Sequence, residues 1–435
     1  MSETTGTRRP RRGFLRAVTR RFGTWPLFGV ILVWVVLALV VFTVLGWLWG
    51  EGPLWSWQRW LTNWRGAGAG AGSLDLVKVS LTTIGGIGGT GYLVIKYRER
   101  ASAERADAEQ RLLSGVQQLG SGSPQVRIAG VYSLADAADT YRGEYRQRVV
   151  SILCGYLRTQ RGEWRTIVNE QDGPEQSSEE KVYVSPDGAV ESTVLEVLVR
   201  HLRKRREKTK HREAVTQLVE NDQLWCDCTI DLHDAVLTEI ANFQGTTFNH
   251  ANFQGTNFTN NADFGGATFT NNANFRGATF TNNAYFGGAT FNRYADFRGA
   301  TFTNNANFRG ATFTNNANFR GATFNGYADF QGATFNSDAD FERATFTSFA
   351  DFERATFTSF ADFERATFTN DANFQDATFS RSAPPMGLPP EQVDEDGLPH
   401  GARWADADDE GPEAGSPDDA PAEGTGPGSA GSAAS

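Results

Sequence analysis

Between Ala241 and Phe379 a phenylalanine returns every five or six residues. The unit settles into an eleven-residue form, Ala262-Asp263-Phe264-Gly265-Gly266-Ala267-Thr268-Phe269-Thr270-Asn271-Asn272, which is a five-residue repeat followed by a six. Regularity on this scale describes an architecture. A helix is excluded, because a 3.6-residue period would scatter Phe264, Phe269, Phe275 and Phe280 around the cylinder and leave large aromatics in water. Alanine and phenylalanine two apart, with Asp, Asn or Thr between them, instead alternate in, out, in, as a very short strand does. The chain then has to turn after every pair, and the Gly and Asn at those positions tolerate positive backbone angles. A strand turned at regular intervals coils into a solenoid.

These residues resemble the pentapeptide-repeat family, whose motif is Ala-(Asp/Asn)-(Leu/Phe)-x-x, over roughly Asp231 to Phe379. The resemblance implies a right-handed quadrilateral β-helix with four repeats per coil and the central Phe and the preceding small residue stacked inside. Residues 22 apart then lie one above another, and about seven coils make a rod ~30 Å long.

That register orders the surface. Arg276, Arg298 and Arg320 fall in one column that continues as Glu342 and Glu364, so its sign reverses along the rod. Phe349 stacks on Tyr327 and Phe360 on Asp338, each aromatic at the extra residue of the six. Arg276, Arg298, Arg320, Tyr327, Phe349 and Phe360 are therefore the candidate interaction surface. The dipeptides Glu342-Arg343, Glu353-Arg354 and Glu364-Arg365 read as solvated surface pairs.

The chain has 435 residues and a net charge of -10, unevenly spread. Residues 1–24 form a basic terminus in which Arg8, Arg9, Arg11, Arg12, Arg16, Arg20 and Arg21 oppose only Glu3. Residues 25–49 are almost wholly apolar, long enough for a transmembrane helix. A second, shorter and glycine-richer span is expected over residues 77–95, and the loop 50–76 between them holds Trp55, Trp57, Trp60 and Trp64, suited to an outer interface. Basic residues outside both spans place both termini in the cytoplasm at the plasma (inner) membrane, so the lipid bilayer is the first expected partner. Two rival motifs lie here. Arg11-Arg12-Gly13-Phe14-Leu15 looks like a twin-arginine export signal, but no small-x-small cleavage site follows the long apolar run closely. Gly86-Ile87-Gly88-Gly89-Thr90-Gly91 after Val77-Lys78-Val79 matches a dinucleotide fingerprint, but without a following βαβ alternation the glycines fit close packing of membrane helices better.

Residues 96–230 read as a helical domain. Leu112, Leu113, Val116 and Leu119 make one apolar stripe, Ser123-Pro124 starts a second helix, and Val149, Ile152, Leu153, Tyr156 and Leu157 mark a third from about Glu144. Asn169 to Ser185 reads as a polar loop, and a further helix from about Glu191 carries Val194, Leu198 and Leu202 into a basic run. Leu119-Gly120 to Val126-Arg127, Tyr132-Ser133-Leu134 and Val149 to Arg158 are similar to the juxtamembrane region of actinobacterial membrane-anchored pentapeptide-repeat proteins, a resemblance that supplies no activity. The last helix, with Leu224-Trp225, is placed to cap the first coil of a repeat region spanning 231–381. Ala383-Pro384-Pro385 stops strand pairing and no evident cap follows, so the last coil is a candidate for self-association. Residues 382–435, rich in Pro, Gly, Ala, Ser, Asp and Glu, read as a disordered acidic tail.

Catalytic constellations are scarce. Cys154, Cys226 and Cys228 fit a reducing cytoplasm, and Cys226-Asp227-Cys228 with His233 is short of an orderly zinc set. No cofactor, metal or catalytic residue is expected. The sequence thus describes a membrane-held, non-enzymatic scaffold that displays its rod to an unidentified protein partner. The resemblance to pentapeptide-repeat proteins implies the alternative, a duplex-DNA mimic that binds a type II topoisomerase, which needs a more strongly anionic rod than this one; nucleic acid itself is not an expected ligand.

Overall fold

The computed structural model describes residues 71–169, 178–203, 224–370, 372–388 and 390–405, together with Val36 and Val40. Its contacts divide the chain into two units, Met1–Glu109 and Gln110–Ser435. Helix α1 spans Ala71–Leu119. Val77 to Ile95 lies wholly inside it, so the Gly86 to Gly91 run follows no strand and opens no helix, and the dinucleotide fingerprint fails its structural condition. A Cβ built on Gly85, Gly86, Gly88, Gly89 or Gly91 meets nothing within 4 Å. Among the described residues no helix is long and apolar enough to cross a membrane. The expected span at 25–49 lies outside the described residues apart from Val36 and Val40, as do 50–70 of the expected loop.

In the second unit the last turns of α1 are followed by α2 (Pro124–Tyr141) and α3 (Glu144–Arg158). Next come a hairpin of β1 (Glu163–Asn169) and β2 (Ser178–Val184), and α4 (Gly188–Leu202). The core takes Leu112 and Leu119 from α1, Val131, Leu134 and Ala138 from α2, and Val149, Val150, Leu153 and Leu157 from α3, all buried, whereas Leu113 and Val116 of the first expected stripe face outward. A Cβ at Gly130 would sit 2.7 Å from the Leu119 amide nitrogen and 2.9 Å from the Gly115 carbonyl oxygen, so the approach of these two helices depends on that glycine. The hairpin corrects the polar-loop expectation. Its strands pair antiparallel from Glu163 with Val184 to Asn169 with Ser178, and Trp164 packs edge-on against Tyr183 at 5.2 Å.

From Thr229 the chain coils. Four parallel sheets form its faces, taken in the order the chain meets them. The first holds Thr229–Asp231 to Ala361–Asp362, the second Val236–Leu237 to Thr367–Phe368, the third Ala241–Asn242 to Ala350–Asp351, and the fourth Thr247–Phe248 to Arg403–Trp404. The pairing confirms the expected register, for instance Ala295 with Ala317 and Phe291 with Phe313. The first coil is one residue shorter, with Thr247 paired to Thr268.

Two local devices make the turns that follow the first and third faces. On the first and third faces the Asp or Asn side chain accepts a hydrogen bond from the amide two residues on, as Asn307 does from Arg309 at 3.0 Å and Asp362 from Glu364 at 2.8 Å. The following residue then adopts a left-handed conformation, which Gly310 takes at φ 62° without a steric penalty. Inside, four columns of rings run along the rod. Phe275, Phe297 and Phe319 stack at 4.8 and 4.9 Å with planes within 4° of parallel, while rings from facing columns meet edge-on, as Phe286 and Phe297 do at 5.4 Å and 89°. Each fully buried Phe contributes about 1.5–3 kcal/mol by leaving water, and the ring contacts add to it.

Both ends are closed. Apolar residues of α3 and α4, with Trp225, run without a break into the Phe columns, and charged and polar side chains of the helical region reach the exposed backbone of the first coil. Gln147 accepts from the Thr229 amide at 2.8 Å and donates to its carbonyl at 3.1 Å. Arg161 donates to Val236 at 2.7 Å, and Arg203 donates to Gln244 at 2.8 Å. Glu191 accepts from the Thr238 and Glu239 amides at 2.6 and 3.0 Å. At the far end the chain departs from the expectation of a tail from residue 382 and an uncapped last coil. Met386 pairs with Asp362, Arg403–Trp404 pairs in parallel with Thr378–Phe379, and Leu398 is buried between them in sequence, so the coiling continues into an eighth turn beyond the seven expected. Residues 406–435 lie outside the described residues.

Candidate interaction surface

The core of the solenoid is filled by Ala and Phe, so what it offers is its outward columns. The structure divides the six nominated residues between two opposite faces. Arg276, Arg298 and Arg320 lie at the end of the first face, one per coil, and Phe360 lies at its beginning two coils further on. Tyr327 and Phe349 lie at the beginning of the third face.

The arginines differ in what they touch. Arg276 is exposed. Arg298 grips Asp296 through Nε and a terminal nitrogen, at 2.8 and 2.6 Å, and this bidentate pairing raises its already high pKa. Arg320 reaches one coil along to Glu342 at 2.7 Å. On the third face the rings of Tyr327 and Phe349 lie 7° from parallel with centroids 6.0 Å apart. The Tyr327 hydroxyl donates to Asp351 at 2.8 Å, and burial, then that hydrogen bond, lift its pKa. Phe349 is 41% exposed, whereas Phe360 is half-buried.

Sequence reasoning missed the acidic neighbours of the arginine column. Asp340, Glu342 and Asp362 bring one carboxylate oxygen each to within 4.8 Å of one another. Burial, and then the charges of Asp362 and Glu342, lift the Asp340 carboxyl above the usual carboxylate range, although the Glu342 amide and Arg320 oppose this. Three acidic groups of this kind are a set that a hard cation takes, yet Arg320 already neutralises Glu342 and Asn318 donates to Asp340 at 3.0 Å. The signal was present in the 22-residue register, which stacks Asp340 on Asp362.

The Glu-Arg dipeptides are surface pairs, with Arg343, Arg354 and Arg365 at 3.5, 3.4 and 3.5 Å from the glutamate before them. They also carry strain. Each arginine occupies the left-handed turn position that glycine holds in earlier coils, at φ 58°, 55° and 60°.

The cysteines hold no metal-like cluster among the described residues. Burial pushes the Cys154 and Cys228 thiols up to about 12, which makes them inert core atoms. His233 instead bonds Asp231 at 2.8 Å; burial works against it, but this bond and the His233 charge hold Asp231 below the usual carboxylate range.

The family model described as pentapeptide repeats (nine copies) matches residues 229–267, 253–301, 297–345 and 341–383. No curated protein and no solved structure matches the chain. The match covers the coils whose strands, turns and Phe columns are described above, and over residues 229–383 it shows the solenoid to be built of pentapeptide repeats.

Proposed function

We propose that the chain is a membrane-tethered interaction scaffold whose solenoid stands at the cytoplasmic surface and offers its outward columns to a protein partner. The observation that carries this reading is the division of labour within each coil. Ala and Phe are spent on a continuous core, while the outward positions of the first and third faces hold a changing set of Arg, Asp, Glu, Asn, Tyr and Phe at fixed spacing. The pentapeptide-repeat match supports an interaction role for the solenoid, and the apolar run 25–49 flanked by arginines supports the tether. Arg276, Arg298, Arg309 and Arg320 interrupt the negative charge along the rod and speak against a duplex mimic.

The test is topology. Single cysteines placed in the Trp55 to Trp64 loop and in the tail after Ala405, in a chain whose native cysteines are replaced, are exposed to a membrane-impermeant thiol reagent on intact cells. Labelling of the loop alone is the expected result. Labelling of the tail as well overturns the cytoplasmic placement.

A further inference from the structure

The first face of the solenoid is electrically lopsided. In its middle coils the arginines at 276, 298 and 320 project outward, whereas the next two coils carry Asp338, Asp340 and Glu342, then Asp362 and Glu364. The arginines Arg343 and Arg365 lie at the corner beyond these acids and meet Glu342 and Glu364 only at 3.5 Å. Within the acidic half like charges therefore stand above one another at the coil spacing, as Asp340 does on Asp362, which is unfavourable in an isolated rod, whereas Arg298 and Arg320 are paired to Asp296 and Glu342 of their own chain. The two halves are complementary to each other.

We infer that the first face pairs with the first face of a second copy, the two rods running antiparallel, so that the arginine half of each lies on the acidic half of the other. The geometry is restrictive. A two-fold axis lying in the contact plane and perpendicular to the rod reverses the order of coils but keeps each outward column facing its own counterpart. With the axis between the coils of Arg320 and Glu342, Arg320 faces Glu342 of the second copy and Arg298 faces Glu364. The same operation places Tyr294 against Phe360 in the column that precedes the alanines and Asp296 against Asp362 in the column that follows them, so an aromatic pair and a carboxylate pair, the latter with Arg298 bound to Asp296, lie beside the ion pairs. Arg298 and Arg320 are exposed to 42% and 45% and Glu364 to 51%, within reach of a partner, whereas Glu342 is 13% exposed and meets the second copy by exchanging the Arg320 of its own chain for that of its partner. Two other orientations offer less: a two-fold parallel to the rod turns the arginine column toward Tyr294 and Asn316 and sets Glu342 on Asp338, and the third face carries only Arg309 and Glu353 at the equivalent positions.

Six coils give a contact ~29 Å long. That is narrow beside the ~800 Å² per partner of a stable interface, so the pairing is weak in solution, depends on salt, and gains from confinement to one membrane surface. This names one partner for the proposed scaffold and rests on that reading.

The test uses full-length chains. Arg298→Cys and Glu364→Cys are purified separately, mixed at low salt and oxidised. A disulfide-linked dimer containing one chain of each kind is expected, because the two-fold brings 298 to 364. It should form little in either chain alone, since 298 and its own copy stand about three coil spacings, ~14 Å, apart, beyond disulfide reach. Cross-linking of Arg298→Cys to itself, or no cross-link in the mixture, overturns the pairing. A second pair avoids dependence on cysteine. The chain with Arg298→Glu and Arg320→Glu and the chain with Glu342→Arg and Glu364→Arg should each sediment as monomers and form a heterodimer when mixed; failure to combine, with helical and sheet signals intact, overturns it as well. The thiol-labelling pattern on cells is unaffected by either result, so failure of the pairing and failure of membrane display are read separately.

Discussion

Gln147, Arg161, Glu191 and Arg203 reach the first coil from the helical region, side chain to backbone, whereas at the far end the chain itself supplies backbone to the last coil. There the Met386 carbonyl accepts from Phe363, the Gly401 carbonyl accepts from Asp376, and the Arg403 and Ala405 amides donate to Ala377 and Phe379. Both solutions meet the same demand, that a strand edge not be left with unpaired N–H and C=O groups over an apolar core. The difference lies in what each end risks. A backbone continuation is insensitive to side-chain identity and closes gradually. The helical end concentrates its closure in a few side chains, of which the charged Arg161 and Glu191 are taken out of water, and loss of one leaves the other uncompensated.

Glu191 is where that concentration is greatest. Its two oxygens accept from the Thr238 amide and hydroxyl, the Glu239 amide and Arg161, whose ion pair with it is 2.6 Å long and buried on both sides. Glu191→Ala strands the Arg161 guanidinium and two amides, and should cost about 3–5 kcal/mol. Because a solenoid communicates through neighbouring coils, the loss should appear as faster hydrogen exchange at Val236 to Ile240 with little change at Thr378 to Trp404. Equal loosening at both ends would show that the rod unfolds as one block.

The corresponding change at the other end is Trp404→Ala. Trp404 takes the column position of Phe379 in the eighth turn, half-buried, with Arg381 stacked over its ring at 5.6 Å. Its removal should cost about 2 kcal/mol, smaller than at Glu191, and should free amides from Met386 onward. A thermal unfolding series on the full chain ranks the two variants.

How much of this was legible in the sequence follows from which groups carry the information. The Phe and Ala columns could be placed to the residue because burial forces side chains with a strict period to one side. The helices before residue 160 could be placed because their stripes are apolar at three- and four-residue spacing. The hairpin β1–β2 could not: Glu163, Trp164, Arg165 and Thr166 are all exposed, so no burial pattern marks the strand. The eighth turn was hidden by composition, since its strands are held by backbone groups that Pro- and Asp-rich sequence does not reveal. The four side chains that close the first coil act on carbonyls and amides 41 to 82 residues away, as Arg203 on Gln244 and Gln147 on Thr229, and nothing local announces such a contact. Of the candidate surface, the register placed Tyr327 beneath Phe349 correctly, but a column read alone missed that Asp340 and Asp362 crowd its acidic half.

The two halves of the rod also differ at their turns. Gly332 and Arg354 occupy equivalent left-handed positions in successive coils, at φ 63° and 55°. Arg354→Gly should therefore stabilise the chain by about 1 kcal/mol, and Gly332→Arg should cost a similar amount. If both substitutions leave the unfolding midpoint unchanged, the contact between Arg354 and Glu353 offsets the strain and the asymmetry is neutral.

The smallest expected effect falls on the acidic half of the first face. Asp340 has its pKa raised in the folded chain, chiefly by burial and then by Asp362 and Glu342. A group raised in this way favours folding when protonated: its contribution is complete below the unfolded value, ~3.9 for an aspartate, and is lost as pH rises through the higher folded value. Asp340→Asn removes the charge while keeping an oxygen to accept from the Glu342 amide, a bond of 2.9 Å in the native chain. The variant should be more stable than the native chain at pH 7, by less than about 1 kcal/mol, with the difference vanishing as pH falls toward 3. A divalent cation that stabilised the native chain but not this variant would change the meaning of the acidic set from repulsion awaiting a partner's arginines to a cation site, and would weaken the case for rod pairing.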